Sequence, residues 1–89
     1  MRKTREELRP SVDFQRGIYR HSKSGVLYHA AAIARDSETL EERVVYYESN
    51  LNGKVVDRPL WWIRPVEMFL EEVEVEGEIV PRFQLFLSL

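Results

Sequence analysis

Residues 61–69 read Trp61-Trp62-Ile63-Arg64-Pro65-Val66-Glu67-Met68-Phe69, and four of these nine side chains are aromatic or contain sulfur. Such a density of large side chains is typical of the place where a small core closes, and we expect either Trp61 or Trp62 to be buried. Proline disfavours the helical region for the residue before it, so the chain leading to Pro65 should be extended. Because proline fixes the φ of a first helical position, residues 66–69 should form one helical turn. The pattern predicts a strand, a proline, one turn and then another strand.

Strand patterns continue on the carboxyl side. Glu72-Val73-Glu74-Val75-Glu76 alternates charged and apolar residues, as a half-buried strand with a solvated row of glutamates does. Gly77 interrupts this strand, and Ile79 to Leu87 is expected to continue as its partner, with Pro81 near the start where a missing N–H matters least. The final residues, Leu85 to Leu89, are apolar except for one serine. They predict either docking on the core or a homodimer contact.

The amino-terminal side predicts further short strands. Residues 17–21 and 43–48 are rich in β-branched and aromatic residues, and Asn52-Gly53 is a strong signal for a two-residue hairpin turn. Residues 26–34 are ambiguous, because their alanines favour a helix and their flanks favour a strand. We interpret them as a strand between two turns, with a helix over residues 28–43 as the alternative.

This arrangement predicts an all-β fold, a small closed or nearly closed β-barrel with one short helical turn before the last hairpin. At 89 residues the chain is expected to form a single domain over residues 17–89. Residues 1–16 are interpreted as an N-terminal arm. The arm can hold a short helix, because Thr4 to Glu7 fits a capping box and Pro10 ends any helix that starts there.

Composition excludes several classes of protein. The chain has no cysteine, which excludes disulfides, thiolate metal sites and a cysteine nucleophile, and which suggests a cytoplasmic location. Its sequence contains no apolar run of the roughly 18 residues that a membrane span needs, so no membrane association is expected. The net charge is −2, with +5 in residues 1–35 and −7 in residues 36–89. Strong nucleic-acid binding is not expected at a pI of about 5.7.

Several motifs follow one another between Gly17 and Phe83. They are Gly17-Ile18-Tyr19-Arg20-His21-x-Lys23, Ala34-Arg35-x-Ser37-Glu38-Thr39, Val44-Val45-Tyr46, Trp62-Ile63-Arg64-Pro65-x-x-Met68-Phe69, Val73-x-Val75-x-Gly77 and Val80-Pro81-Arg82-Phe83. In this order the motifs resemble the bacterial domain-of-unknown-function 1653 family. The resemblance implies a small SH3-like β-barrel whose biochemical role is not established. This chain has Ser22 where the family usually has an aromatic residue and Asp36 where it has a histidine, and the stretch from Glu48 to Leu60 is longer than usual.

Basic and aromatic residues alternate in one candidate ligand-binding set, as they do in sequence-tolerant single-strand binders. Within it, Arg64 shares a strand face with Trp62 and can stack on it to form a flat cationic surface. The structural alternative is that Arg64 binds carbonyl groups or a glutamate such as Glu67. The set comprises Tyr19, His21, Lys23, Tyr46, Trp62 and Arg64.

No catalytic, metal or cofactor motif is evident. The only two histidines, His21 and His29, lack the spacing of metal ligands. Ser37 lies beside Asp36 and Glu38, but this pattern is more typical of a turn in which side chains bond local backbone groups. We therefore expect a non-catalytic binding module for a peptide, a protein or a nucleotide-like ligand. The alternatives are an architectural homodimer and a small enzyme or phosphate-ligand protein that uses His21, Lys23, Arg35 and Arg64.

Overall fold

The computed structural model describes residues 13–49 and 60–89, and every structural statement below concerns these residues. The elements are β1 (Gly17–His21), β2 (Leu27–Arg35), β3 (Glu42–Glu48), β4 (Trp61–Pro65), α1 (Val66–Phe69), β5 (Glu72–Val75), β6 (Glu78–Pro81) and β7 (Phe83–Ser88). The capping box at Thr4 and the hairpin at Asn52-Gly53 lie outside the described residues.

The fold is all-β, as predicted, with one helical turn immediately after Pro65. Five antiparallel strands form the main sheet in the order β4-β3-β2-β1-β7, and β5 and β6 form a separate two-stranded sheet. The expected barrel closure is wrong, because β4 and β7 are opposite ends of the main sheet and do not pair. Since β5 and β6 pair with each other, only β7 of the last three strands returns to the main sheet.

The alanine-rich segment is a strand and not a helix. β2 pairs with β1 on one side and with β3 on the other, and the register with β3 slips at Ala31, between Ala30 and Ala32. Ala30 is fully buried and lies opposite Tyr46. A small side chain at this position leaves space for neighbouring aromatic rings, so tertiary packing overrides the helical preference of alanine.

The carboxyl-terminal run is divided differently from the prediction. Residues 79–87 were expected to form one strand, but the chain leaves β6 at Pro81 and enters β7 at Phe83. The Arg82 N–H donates to the Glu71 carbonyl, and the Arg82 carbonyl accepts the Ser22 N–H, so the residue between the two strands bonds to both neighbouring segments. In the β5–β6 turn Glu76 and Gly77 both have positive φ, 51° and 82°, as a type I′ turn requires.

β7 approaches β1 very closely near a bulge. Ile18 lies opposite Leu87 and Tyr19 lies opposite Leu85, so Phe86 is the extra residue on β7. A Cβ on Gly17 would lie 2.3 Å from the Leu87 carbonyl oxygen, and no real Cβ approaches backbone so closely. Glycine at this position therefore permits the pairing of β1 with β7.

The core lies on one face of the main sheet under α1. Its centre is a parallel stack of Phe69 and Phe83, with ring centroids 4.1 Å apart. Residues 13–16, which we assigned to the arm, reach this core, because Phe14 packs edge-to-face on Phe69 at 5.7 Å. The buried cluster comprises Tyr19, Ala30, Val44, Tyr46, Val66, Phe69 and Phe83.

The prediction that one of the two tryptophans is buried is wrong. Trp61 is 58% exposed and Trp62 is 46% exposed. Both belong to β4, an edge strand of the main sheet. Phe69 and Phe83 supply the large rings at the centre of the core instead.

Stability is therefore expected to depend on Phe69 and not on the tryptophans. Phe69→Ala should cost about 3–5 kcal/mol, because it deletes a ring that is 1% exposed and stacked on Phe83. This is a large share of the roughly 4–13 kcal/mol typical for a domain of this length. Trp61→Ala and Trp62→Ala should each cost about 1 kcal/mol or less.

Urea unfolding curves would measure these costs. Met68→Ala is the matched control, since Met68 is an exposed neighbour in the same helical turn and should change stability by about 0.5 kcal/mol or less. A larger loss for either tryptophan variant than for Phe69→Ala would contradict this description of the core.

Candidate functional site

A cavity of about 190 Å³ opens on the core face of the main sheet. All five strands of the main sheet contribute to the lining of this cavity. β4 contributes two of the described lining residues, and each of the other strands contributes one. We call it the aromatic cavity. Its lining residues are His21, Tyr28, Tyr46, Trp62, Arg64 and Phe83.

Strand register explains why these residues converge. Directly paired residues in an antiparallel sheet project to the same face. Tyr46 on β3 lies opposite Trp62 on β4, and His21 on β1 lies opposite Phe83 on β7. The two edge strands thus bring Trp62 and Phe83 to the same side of the sheet.

Phe83 joins the aromatic cavity to the core. Its ring makes edge-to-face contacts with His21 at 5.0 Å, Tyr46 at 5.5 Å and Tyr28 at 5.9 Å, measured between centroids. It also stacks on Phe69 in the core. Such ring pairs contribute about 0.5–1.5 kcal/mol each beyond the burial of their area, so these contacts stabilise the cavity wall against the core.

Arg64 lies over a different ring from the one expected. Its Cζ is 5.6 Å from the centroid of Phe83, and no such stacking on Trp62 is observed. Among the described residues its guanidinium makes no hydrogen bond or ion pair, and Glu67 is not its partner. Because Arg64 belongs to β4 and Phe83 to β7, this contact joins the two edge strands of the sheet through side chains.

His21 accepts a hydrogen bond from the turn that follows it. The Ser24 N–H donates to His21 Nδ1 over 3.2 Å, and the Ser24 hydroxyl lies 3.1 Å from the same nitrogen. Burial lowers the pKa of His21, and the positive charges of Arg82, Arg64 and Lys23 lower it further. The imidazole is therefore favoured in its neutral form.

The two tyrosines of the aromatic cavity pack edge-to-face with each other at 5.3 Å. Neither hydroxyl bonds to a described residue. The pKa of Tyr28 is raised by burial and by its neighbours Tyr46 and Glu48, while Arg64 acts in the opposite direction. Tyr28 therefore stays protonated near neutral pH and can donate a hydrogen bond.

The structure gathers four of the six candidate site residues, His21, Tyr46, Trp62 and Arg64, around the cavity. Tyr19 lies in the core instead, with its hydroxyl donating to the Gln15 carbonyl. Lys23 is exposed in the turn after β1.

Two lining residues, Tyr28 and Phe83, were missing from the sequence-based set. Tyr28 lies in the alanine-rich segment whose secondary structure was ambiguous. Phe83 was part of a motif but carried no charge to mark it as a ligand contact. Phe83 could have been assigned to the site from its position opposite His21. That position depends on the pairing of β1 with β7, which are far apart in sequence, and local patterns do not predict it.

Other candidate chemistry has a structural explanation. Asp36 Oδ1 accepts the Glu38 and Thr39 N–H groups at 2.8 and 3.0 Å, so residues 36–39 form the expected side-chain-bonded turn. These backbone bonds lower the pKa of Asp36. Within residues 13–49 and 60–89, no group of three or more potential ligands could hold a metal ion, and no helix is long and apolar enough to cross a membrane.

The lowered pKa of His21 makes stability depend on pH. Because the unfolded chain binds a proton more readily, the contribution of His21 is fully present above the ordinary value near 6.5 and is lost as pH falls through the folded pKa. The His21 Cε1–H resonance should therefore titrate with a midpoint below 6.5. Arg64→Gln should raise this midpoint, because it removes one of the three charges, and Arg16→Gln, outside the cavity, should not. A midpoint that is the same in wild type and Arg64→Gln would contradict this electrostatic description.

Comparisons with known proteins agree with the motifs. The family described as "Protein of unknown function (DUF1653)" matches residues 17–85. A crystal structure of a DUF1653 protein from Bordetella bronchiseptica is similar, with a TM-score of 0.70 and 31% identity, over 86% of this chain and 92% of that one. No curated protein matches the chain. Since the family matches more than half of the residues and a solved member shares the fold, the chain belongs to the DUF1653 family.

Proposed function

We propose that this protein is a non-catalytic binding module of the bacterial cytoplasm and that the aromatic cavity is its ligand site. The observation that carries the proposal is the position of Arg64, which lies over Phe83 and has no polar partner among the described residues. A guanidinium that lies over a ring face leaves its N–H groups, which point outward in its own plane, available to a ligand. Peptides, protein surfaces and nucleotide-like molecules all offer acceptors for such a group.

The chemistry of the cavity lining favours binding over catalysis. Among the described residues its polar groups are an arginine, a histidine, two tyrosines and an indole, with no serine, threonine, lysine or carboxylate. A nucleophile needs an adjacent base that a third group orients, and neither tyrosine hydroxyl of the lining hydrogen-bonds to His21 or to another described residue. Of the cations in the alternative phosphate-ligand set, Arg35 pairs with Glu42 and does not line the cavity.

The exposed ring of Trp62 supports the same function. It is 46% exposed at the rim of a cavity whose other rings are more buried. An exposed indole beside an arginine is the combination with which many modules hold a planar or proline-containing ligand. Trp62 thus extends the binding surface outward from the cavity.

Arg64→Ala should weaken ligand binding and leave folding nearly unchanged. The loss of one part-exposed cation–π contact should cost about 0.5–1 kcal/mol of stability. Binding would be measured by amide-resolved NMR titration with a nucleotide pool, a mixed single-stranded oligonucleotide and a proline-rich peptide. We expect shifts at Tyr28, Tyr46 and the Trp62 indole in the wild type, reduced in Arg64→Ala.

Arg16→Ala is the control, since Arg16 is exposed before β1 and does not line the cavity. If no probe moves the cavity resonances, or if Arg64→Ala binds as the wild type does and loses several kcal/mol of stability, Arg64 has a structural role and the proposal fails.

A homodimer through β7 is a second candidate, favoured by the exposure of Leu85, Phe86, Leu87 and Leu89. β7 contains no charged residue and is an edge strand of the main sheet. Across a two-fold axis the same apolar side chains would meet without repulsion between like charges. The bulge at Phe86 makes the backbone of β7 irregular where it pairs with β1. We therefore expect side-chain packing, and not backbone pairing of two β7 strands, to provide the dimer contact.

Phe86→Glu should convert such a dimer to a monomer, because it places two like charges in the contact. Light scattering would give the mass, with the wild type expected at twice the 10.6 kDa of the chain. Ile79→Glu is the matched control, since Ile79 is similarly exposed on β6. A wild-type mass equal to one chain across a range of protein concentrations would exclude the dimer.

A further inference from the structure

The polar groups of the described residues that line the aromatic cavity can all donate hydrogen bonds. Arg64 carries donors only, the Trp62 indole carries one donor, and the hydroxyls of Tyr28 and Tyr46 donate when they are protonated. None of the described lining residues carries a carboxylate. Glu48 lies near enough to Tyr28 to raise its pKa, but it is exposed and does not line the cavity.

The hydrogen bond at His21 adds a further donor. A backbone N–H can only donate, so the bond from Ser24 assigns Nδ1 as the acceptor. A neutral imidazole carries its single proton on the other nitrogen in that case. His21 therefore holds its proton on Nε2, and this N–H belongs to a ring that lines the cavity.

The described charged groups that lower the pKa of His21 are all positive. Lys23, Arg64 and Arg82 are the charged groups that act on His21. Arg82 is neutralised in part by Glu71, to which its Nε donates over 2.8 Å. Arg64 is therefore the cation within the lining that has no described ionic partner, and a ligand anion would meet it first.

The cavity volume limits the part of a ligand that can enter. About 190 Å³ is smaller than the roughly 300–1,000 Å³ typical of sites for whole drug-sized ligands. A carboxylate or phosphate with one ring fits this space better than a complete larger molecule. The rings of Tyr28, Tyr46 and Phe83 provide apolar lining, and the exposed indole of Trp62 lies beside them.

We propose that the aromatic cavity binds an oxyanion, a phosphate or a carboxylate, that is attached to a planar ring of a small molecule. Arg64 and the Nε2–H of His21 donate to the oxyanion, and the ring of the ligand packs against the aromatic walls. This inference rests on the proposed binding function and specifies its ligand chemistry. Phosphate monoesters and aromatic carboxylates share that chemistry, so the test separates the two sources.

The probes are phenyl phosphate, benzoate and benzyl alcohol, which have the same ring and differ in charge. NMR titration of the intact chain would give a dissociation constant for each. At least one anion should bind about 10-fold or more tightly than benzyl alcohol, in keeping with the strength of one charged hydrogen bond. Added salt should weaken the binding of the anions and leave the binding of benzyl alcohol unchanged.

Two variants test the donors. Arg64→Gln should weaken anion binding by roughly 10- to 100-fold, the range expected for one charged hydrogen bond. His21→Phe keeps a ring against Phe83 but removes the Nε2–H. It should weaken the binding of the anions more than the binding of benzyl alcohol. Arg16→Gln is the control and should bind all three probes as the wild type does.

The outcomes distinguish this inference from the binding function itself. Binding of phenyl phosphate alone identifies a phosphate source, and binding of benzoate alone identifies a carboxylate source. Equal binding of benzyl alcohol and the anions would overturn the oxyanion inference while leaving a ligand site in place. If none of the three moves the cavity resonances, the inference fails, and the binding function stands only where the peptide or oligonucleotide titration moves them.

Discussion

The rest of the structure depends on the stacked contact of Phe69 with Phe83. Phe69 closes the single helical turn after β4, and Phe83 opens the last strand. Their rings lie 4.1 Å apart at an interplanar angle of 4°, and both are almost fully buried. This contact holds α1 on the sheet and fixes where β7 begins. Since a domain of this size has few large buried side chains, one such contact is a substantial part of its stability.

Phe83, like Tyr46, belongs both to the core and to the candidate site. One part of its environment is Phe69, and another is the ring of His21 with the guanidinium of Arg64. A change at Phe83 would therefore alter stability and the cavity together. Arg64 and His21 lie farther from the centre of the core, which is why function is better tested at these two residues.

The open sheet places both of its end strands at the cavity. In a closed barrel the two end strands would be joined by backbone hydrogen bonds. Here β4 and β7 do not pair, and the side chains of Arg64 and Phe83 make a contact between them. Both side chains line the aromatic cavity, so the cavity lies where side chains, and not a backbone ladder, join these two strands. The sequence-based prediction of a closed or nearly closed barrel did not anticipate this arrangement.

Sequence patterns predicted local features well and long-range ones poorly. The alternation at Glu72 to Val75 and the effect of Pro65 depend on neighbouring residues. The structure agrees with the alternation, with the extended chain before Pro65 and with the turn over residues 66–69, although Pro65 is the N-cap and not the first helical residue. The position of the tryptophans depends on whether β4 is central or at an edge, which strand order decides and local composition does not. The division of the last run at Arg82 depends on its backbone bonds to Glu71 and Ser22. Tyr28 and Phe83 could not be assigned to the site for the same reason, because their proximity follows from the pairing of distant strands.

The net charge of the chain does not predict the ligand chemistry that we propose for the aromatic cavity. The chain is acidic overall, yet its described acidic side chains at Glu72, Glu74, Glu76 and Glu78 are exposed on the separate two-stranded sheet. At physiological salt the interaction between exposed charges is largely screened beyond about 8 Å. A group bound in the proposed site would therefore be selected mainly by the side chains that touch it, and the described lining residues of the aromatic cavity offer donors and rings. A nucleic acid would bring many phosphates into close contact with the protein surface, where the acidic side chains oppose them, so the ligand chemistry proposed for the cavity does not imply general nucleic-acid binding.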